Sequence, residues 1–165
     1  MIAWLILGLV AAQRLGELVL ARRNTAALIE RGAVEVGAGH YPLIVALHAA
    51  WLASMAWFLP DPHTLNVWLL GLYLVVQALR VWTLASLGPY WTTRIFILPG
   101  APLVRRGPYR YLRHPNYIVV VLEIAILPLV FGEVAVAVIF SILNAAVLSW
   151  RIRQEDAGLA ERRAL

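Results

Sequence analysis

Five apolar runs, residues 2–21, 41–59, 65–87, 116–131 and 134–150, divide this chain and leave it few folds that water would tolerate. Twenty residues of helix at a rise of about 1.5 Å each reach about 30 Å, the thickness of a bilayer's hydrocarbon core. With 62% of its 165 residues hydrophobic and only 14% charged, the chain lacks the polar surface to cover a soluble domain, whereas a helical bundle in lipid can turn Leu, Val and Ile outward. The expectation is an all-α, polytopic membrane protein of about five transmembrane helices. It forms a single domain over residues 1–165, with three N-terminal helices in residues 1–87 and the remaining elements in residues 88–165. A cleaved leader would carry its positive charge first; here Arg22 and Arg23 follow the first run, so that run is expected to remain as a helix.

The connections carry the charge. Residues 24–40 suit a short amphipathic or irregular connection, and Pro60-Asp61-Pro62 a tight exit from the second run. Only Gly132-Glu133 joins the last two runs, which predicts a helical hairpin. All fourteen basic residues are arginine. Arg22, Arg23 and Arg31 follow the first run, Arg94, Arg105, Arg106, Arg110 and Arg113 lie in residues 88–114, and Arg151, Arg153, Arg162 and Arg163 follow the last. The two intervening connections have none. Under the positive-inside rule this asymmetry predicts an N-terminus outside and a C-terminus inside, in the inner membrane, with the long loop and tail facing the cytoplasm. Arginines placed between apolar runs match anionic lipid headgroups and make no basic face for nucleic acid. Without cysteine, thiol chemistry and disulfides are excluded.

Polar residues inside the apolar runs are costly, at least about 2.5 kcal/mol for a charged group near mid-membrane. Arg14 and Glu17 lie three apart on the first run, Gln77 and Arg80 three apart on the third, and Glu123 on the fourth. Two readings stay open for them: structural pairing, for instance Arg80 with Glu123, or a polar substrate cavity in which Arg80 and Glu123 bind substrate.

The densest reactive cluster is Gly107-Pro108-Tyr109-Arg110-Tyr111-Leu112-Arg113-His114-Pro115-Asn116-Tyr117. Pro115 suits the first turn of a helix, which places His114 at a helix N-terminus, where free N–H groups and neighbouring arginines would hold a carboxylate or phosphate. A loop end gripping lipid headgroups explains the arginines equally well. After the last run, Arg151 and Glu155 stand four apart on one helical face. If the last two runs form a hairpin, His114 and Arg151 lie side by side.

At these residues the sequence resembles the isoprenylcysteine carboxyl methyltransferases and related phospholipid N-methyltransferases. The family pattern is Gly-x-Tyr, Arg-His-Pro-x-Tyr, a helical hairpin and Arg-x-x-x-Glu, and the chain supplies Gly107-Pro108-Tyr109, Arg113-His114-Pro115-Asn116-Tyr117 and Arg151 with Glu155. Ile118 and Val119 follow Tyr117, where the family commonly has Gly two residues on. The resemblance covers roughly residues 79–159. It implies S-adenosylmethionine as cofactor, held by Arg94, Ala101, Pro102, Leu103, Val104, Tyr109, His114, Pro115, Asn116, Tyr117 and Glu155. It also implies that Arg151 orients the substrate. The catalytic set it suggests is Arg151 with His114 and Glu155 as base candidates, and direct methyl transfer requires no metal. The His-Pro-Asn-Tyr-Ile-Val-Val run, Glu123, Gln13-Arg14 and Glu17 look closer to a bacterial subgroup that accompanies type III polyketide synthases and O-methylates alkylpyrones or alkylresorcinols. The implied partners are membrane lipids, a lipophilic small molecule and, by association, a polyketide synthase. The competing readings are an isoprenylcysteine or phospholipid methyltransferase, an NADPH-dependent membrane reductase using Arg105-Arg106 for a 2′-phosphate, and a non-enzymatic lipid-binding protein.

Overall fold

The computed structural model describes residues 1–60 and 65–163, with side chains described through Leu159. Asp61 and Pro62 of the expected tight exit, and the side chains of Arg162 and Arg163, lie outside the described residues. The protein is mostly helical: α1 (Ile2–Glu30), α2 (Tyr41–Phe58), α3 (Val67–Leu87), α4 (Pro115–Val130) and α5 (Val134–Arg163). Two short strands, β1 (Val34–Glu35) and β2 (Phe96–Ile97), pair antiparallel with Val34 opposite Ile97.

Four helical stretches, Ile2–Glu30, Ala38–Phe58, Val67–Tyr90 and Val134–Leu159, are long and apolar enough to cross a membrane. Their outward faces carry Leu5, Leu9, Leu72, Val75, Ile139 and Ile142, all exposed. In water that surface would cost roughly 25 cal/mol for each Å² of it; in hydrocarbon it costs nothing comparable. This is a membrane protein. The 16-residue α4 is shorter and the most enclosed, with Val119, Ile124, Leu127 and Val130 fully buried between α3 and α5. Around it gather Leu7 and Val10 of α1, Trp51 and Met55 of α2, Tyr73 and Val76 of α3, and Phe140 of α5.

Helix ends differ from the sequence expectation where the chain leaves the apolar runs. The first run extends beyond residue 21 through Glu30, and the last continues past residue 150 to Arg163. Charged residues end an apolar run without ending a helix, because Arg, Glu and Ala all have good helix propensity in water. Thus residues 24–30 of the expected amphipathic or irregular connection after Arg23 continue α1. Asn66 starts α3, its Oδ1 accepting from the N–H groups of Trp68 and Leu69 at 3.1 Å each.

The three arginine-bearing connections gather at one end of the helical body. Val36 N–H donates to Ile95 O at 3.0 Å, Asn24 Nδ2 donates to Trp91 O at 2.7 Å, and Gly158 of α5 lies against Ile97, where a Cβ would come within 2.5 Å of the isoleucine Cδ1. At the other end Asn66 N–H meets Val130 O at 2.9 Å.

Candidate active site

At the arginine-bearing end a cavity of about 470 Å³ opens between the long loop, the start of α4 and the extension of α5. That volume lies within the range of small-molecule sites. Gly107 fixes the loop's position. Its φ of +55° is left-handed, and a Cβ there would stand 2.0 Å from Ser86 Oγ, so only glycine lets the Gly107–Arg110 turn seat on the end of α3. Arg106 Nε reinforces the seat by donating to Ser86 O at 2.6 Å.

Pro115 begins α4 and His114 caps it. The N–H groups of Tyr117 and Ile118 turn back onto the His114 carbonyl, at 3.1 and 3.4 Å, so an anion in the cavity relies less on free backbone donors than the sequence suggests. Arginine side chains are better placed for it. Arg94, Arg105, Arg110 and Arg113 all line the cavity.

The centre of the site is a hydrogen-bonded chain. Arg151 Nε donates to the Tyr117 hydroxyl at 2.8 Å, and that hydroxyl donates to Glu155 Oε2. Arg151 Nη1 donates to Thr93 O at 2.9 Å and lies 3.3 Å from His40 Nε2. The guanidinium is buried, yet no bond within the described residues engages its Nη2. His114 stacks on Tyr117 with ring centroids 5.2 Å apart, and its Nε2 is 3.1 Å from Asp156 Oδ1. Burial, reinforced by Glu155, pushes the Tyr109 phenol above its ordinary range, so it stays a neutral donor. Asn116 Oδ1 is buried beside the cavity without a partner among the described residues.

Of the positions singled out in the sequence, Arg94, Ala101, Pro102, Leu103, Val104, Tyr109, His114, Asn116, Tyr117, Arg151 and Glu155 line this one cavity. Pro115 does not; it is fully buried beneath it. Arg80 and Glu123 also stand apart. Arg80 pairs with Glu123 at 2.7 Å and with Glu17 at 2.5 Å, while Arg14 reaches Glu17 at 3.0 Å and Glu123 at 2.9 Å. Gln13 and Gln77 complete this cluster, which ties α1 to α3 and α4. The pairing reading of these residues therefore describes their contacts, and neither Arg80 nor Glu123 reaches the cavity.

His40, Thr93, Asn24 and Glu35 belong to the surroundings of the site and were not legible as such. His40 sits immediately before Tyr41-Pro42, a helix-start signal that could have drawn attention to it. Thr93 acts through its carbonyl, which leaves no side-chain signature.

The profile of the isoprenylcysteine carboxyl methyltransferase family matches residues 69–161, more than half the chain. The chain belongs to that family. Among its relatives, YpbQ of Bacillus subtilis (strain 168) is 42% identical over 162 residues, 96% of each chain. A protein of Haemophilus influenzae is 26% identical over 159 residues, 92% of this chain and 91% of the relative. Both are described as uncharacterized, and no solved structure matches. In this family member the matched region starts within α3 and contains every cavity residue named above.

Proposed function

We propose that this protein is an integral membrane methyltransferase that uses S-adenosylmethionine to methylate an oxygen of a lipophilic acceptor, most favourably a long-chain alkylresorcinol or alkylpyrone. The observation that carries the reading is the Arg151–Tyr117–Glu155 chain on the wall of a cavity also lined by Asn116, whose Oδ1 has no partner among the described residues. The donor set fits the cofactor. Arg94, Arg105, Arg110 and Arg113 suit its carboxylate, Glu155 accepts from a ribose diol, and Asn116 Oδ1 accepts from an amino group. Tyr109 supplies an aromatic face for a sulfonium.

When bound, S-adenosylmethionine supplies an electrophilic methyl: the acceptor oxygen forms the new C–O bond while the C–S bond breaks and its electron pair stays on sulfur. Arg151 holds the acceptor oxygen through Nη2 and stabilises it as an oxyanion. The acceptor proton passes to His114 or Glu155. Thr93 O and the Tyr117 hydroxyl fix the guanidinium plane, so alignment supplies much of the rate. In the reductase alternative a 2′-phosphate would need Arg105 and Arg106 together, and Arg106 is committed to Ser86 O, outside the cavity lining.

The membrane arrangement belongs to the same proposal. Five crossings, with α4 and α5 as a helical hairpin, place the cavity at the cytoplasmic face of the inner membrane and the N-terminus outside. The preference for a resorcinol or pyrone rests on the likeness to the polyketide-associated subgroup, with a polyketide synthase as the source of acceptor. The test supplies purified protein and labelled S-adenosylmethionine to alkylresorcinols and alkylpyrones of increasing chain length, beside a farnesylated cysteine analogue. Methyl ethers formed faster with longer tails support the proposal. Methylation of the farnesyl analogue alone would overturn the acceptor assignment.

A further inference from the structure

A second cavity, of about 390 Å³, shares Arg94 with the first. One wall is a single face of α1: Leu18, Ala21, Arg22, Thr25, Ala26 and Ile29 follow the three- and four-residue spacing of a helical stripe. Tyr41, Thr93 and Arg94 form the opposite wall. The two cavities adjoin. Arg94 lines both, with its guanidinium 4.5 Å from the Tyr41 ring centroid and 3.2 Å from Glu35. Thr93 lines the second cavity and offers its carbonyl to Arg151, the proposed acceptor-orienting residue of the first.

The chemistry of the groove changes along its length. Leu18 and Ala21 lie within the apolar run and give the membrane end a small, apolar floor. Arg22, Thr25, Tyr41 and Arg94 give the other end two guanidinium groups and two hydroxyls, and among the described residues no carboxylate lines it. This gradient matches one kind of occupant: a single-tailed amphiphile with an acidic oxygen head. A long apolar tail gains about 0.8 kcal/mol for each methylene kept from water, and the cationic end selects an oxygen anion.

We propose that this α1 groove receives the acceptor, whose tail runs along Leu18 and Ala21 into lipid while its phenol or enol head passes Arg94, which lines both cavities, to meet Arg151 in the first. The inference rests on the methyltransferase reading and adds to it the place and direction of acceptor binding. Arg94 is then shared between acceptor and cofactor, and its pairing with Glu35 and Tyr41 sets how far it leans into either cavity.

Ala26→Trp tests the site, because Ala26 is an exposed position on the groove face that a Trp side chain would fill; Ala27→Trp, exposed on α1 but outside the groove, is the control. The expected result is a rise of tenfold or more in acceptor KM for Ala26→Trp, with S-adenosylhomocysteine affinity unchanged and Ala27→Trp like the parent. A resorcinol carrying a diazirine on its alkyl tail should label the α1 segment of residues 18–29, and unlabelled resorcinol should suppress that labelling. An unchanged KM in Ala26→Trp, or labelling confined to other helices, overturns the groove assignment. Suppression by phosphatidylglycerol and not by resorcinol makes it a phospholipid site and also overturns it. If the parent protein fails to bind S-adenosylhomocysteine, the methyltransferase reading falls, while the labelling still decides what the groove takes.

Discussion

Arg151 and Tyr117 stand 34 residues apart in the chain, and their side chains meet at 2.8 Å. The hydroxyl between Arg151 Nε and Glu155 makes α4 and α5 one functional unit. Tyr117→Phe removes that oxygen and leaves both charged groups short of a partner. Hydrogen bonds to charged groups are worth about 1.5–3 kcal/mol, so kcat/KM should fall by roughly tenfold to a hundredfold. Arg151→Lys should be no milder, since an ammonium lacks the planar fork that serves Tyr117 and Thr93 together. Initial-rate kinetics with a resorcinol acceptor check both; a Tyr117→Phe enzyme within twofold of the parent would remove the chain from the mechanism.

The cluster of Arg14, Glu17, Arg80 and Glu123 is predicted to act on stability. Removing one member of a buried ion pair costs about 3–5 kcal/mol because its partner keeps an uncompensated charge. Arg80→Ala should therefore lower the thermal midpoint in detergent, and the double variant Arg80→Met/Glu123→Leu should recover most of the loss. Cofactor affinity of the folded protein should not change, since neither residue lines the cavity. A midpoint unmoved in Arg80→Ala, with acceptor turnover lost, would instead return Arg80 to substrate binding.

Much of this arrangement was readable in advance, for identifiable reasons. Apolar runs near bilayer length announced the long helices, and Pro115 marked the start of α4 through the geometry of its ring. The spacing of Gly107, Tyr109, His114, Tyr117, Arg151 and Glu155 carried the family pattern. What escaped was longer-range. Nothing local says that Asn24 reaches the carbonyls of Gly88 and Trp91, or that Val34 pairs with Ile97. His40 meets Arg151 across 111 residues, a contact fixed by the packing of α2 on α5 and by no motif.

Glu133, in the short link between α4 and α5, provides a pH-dependent prediction. It is buried, and neither carboxylate oxygen has a partner among the described residues. Burial pushes its pKa up from 4.5 to about 7. Between those values the folded protein holds a proton that the unfolded chain has released, so stability is full below about 4.5 and declines as pH rises to about 7. At about 1.4 kcal/mol per pKa unit the loss is on the order of 3 kcal/mol. Glu133→Gln should flatten the dependence and raise the thermal midpoint at pH 8. Identical pH profiles for parent and variant would contradict this.

Orientation is open to a direct check. The arginine-bearing connections are predicted to face the cytoplasm, so a C-terminal tag should be protected in spheroplasts and accessible in inverted vesicles. The reverse pattern would place the cavity on the outer face.

Calorimetric titration of the detergent-solubilised protein with S-adenosylhomocysteine and, separately, NADPH decides between methyltransferase and reductase. One S-adenosylhomocysteine is expected to bind per chain, with no NADPH binding, and Glu155→Ala should weaken S-adenosylhomocysteine affinity by roughly tenfold to a hundredfold because the proposed ribose acceptor is gone. NADPH binding without S-adenosylhomocysteine binding would contradict the methyltransferase reading.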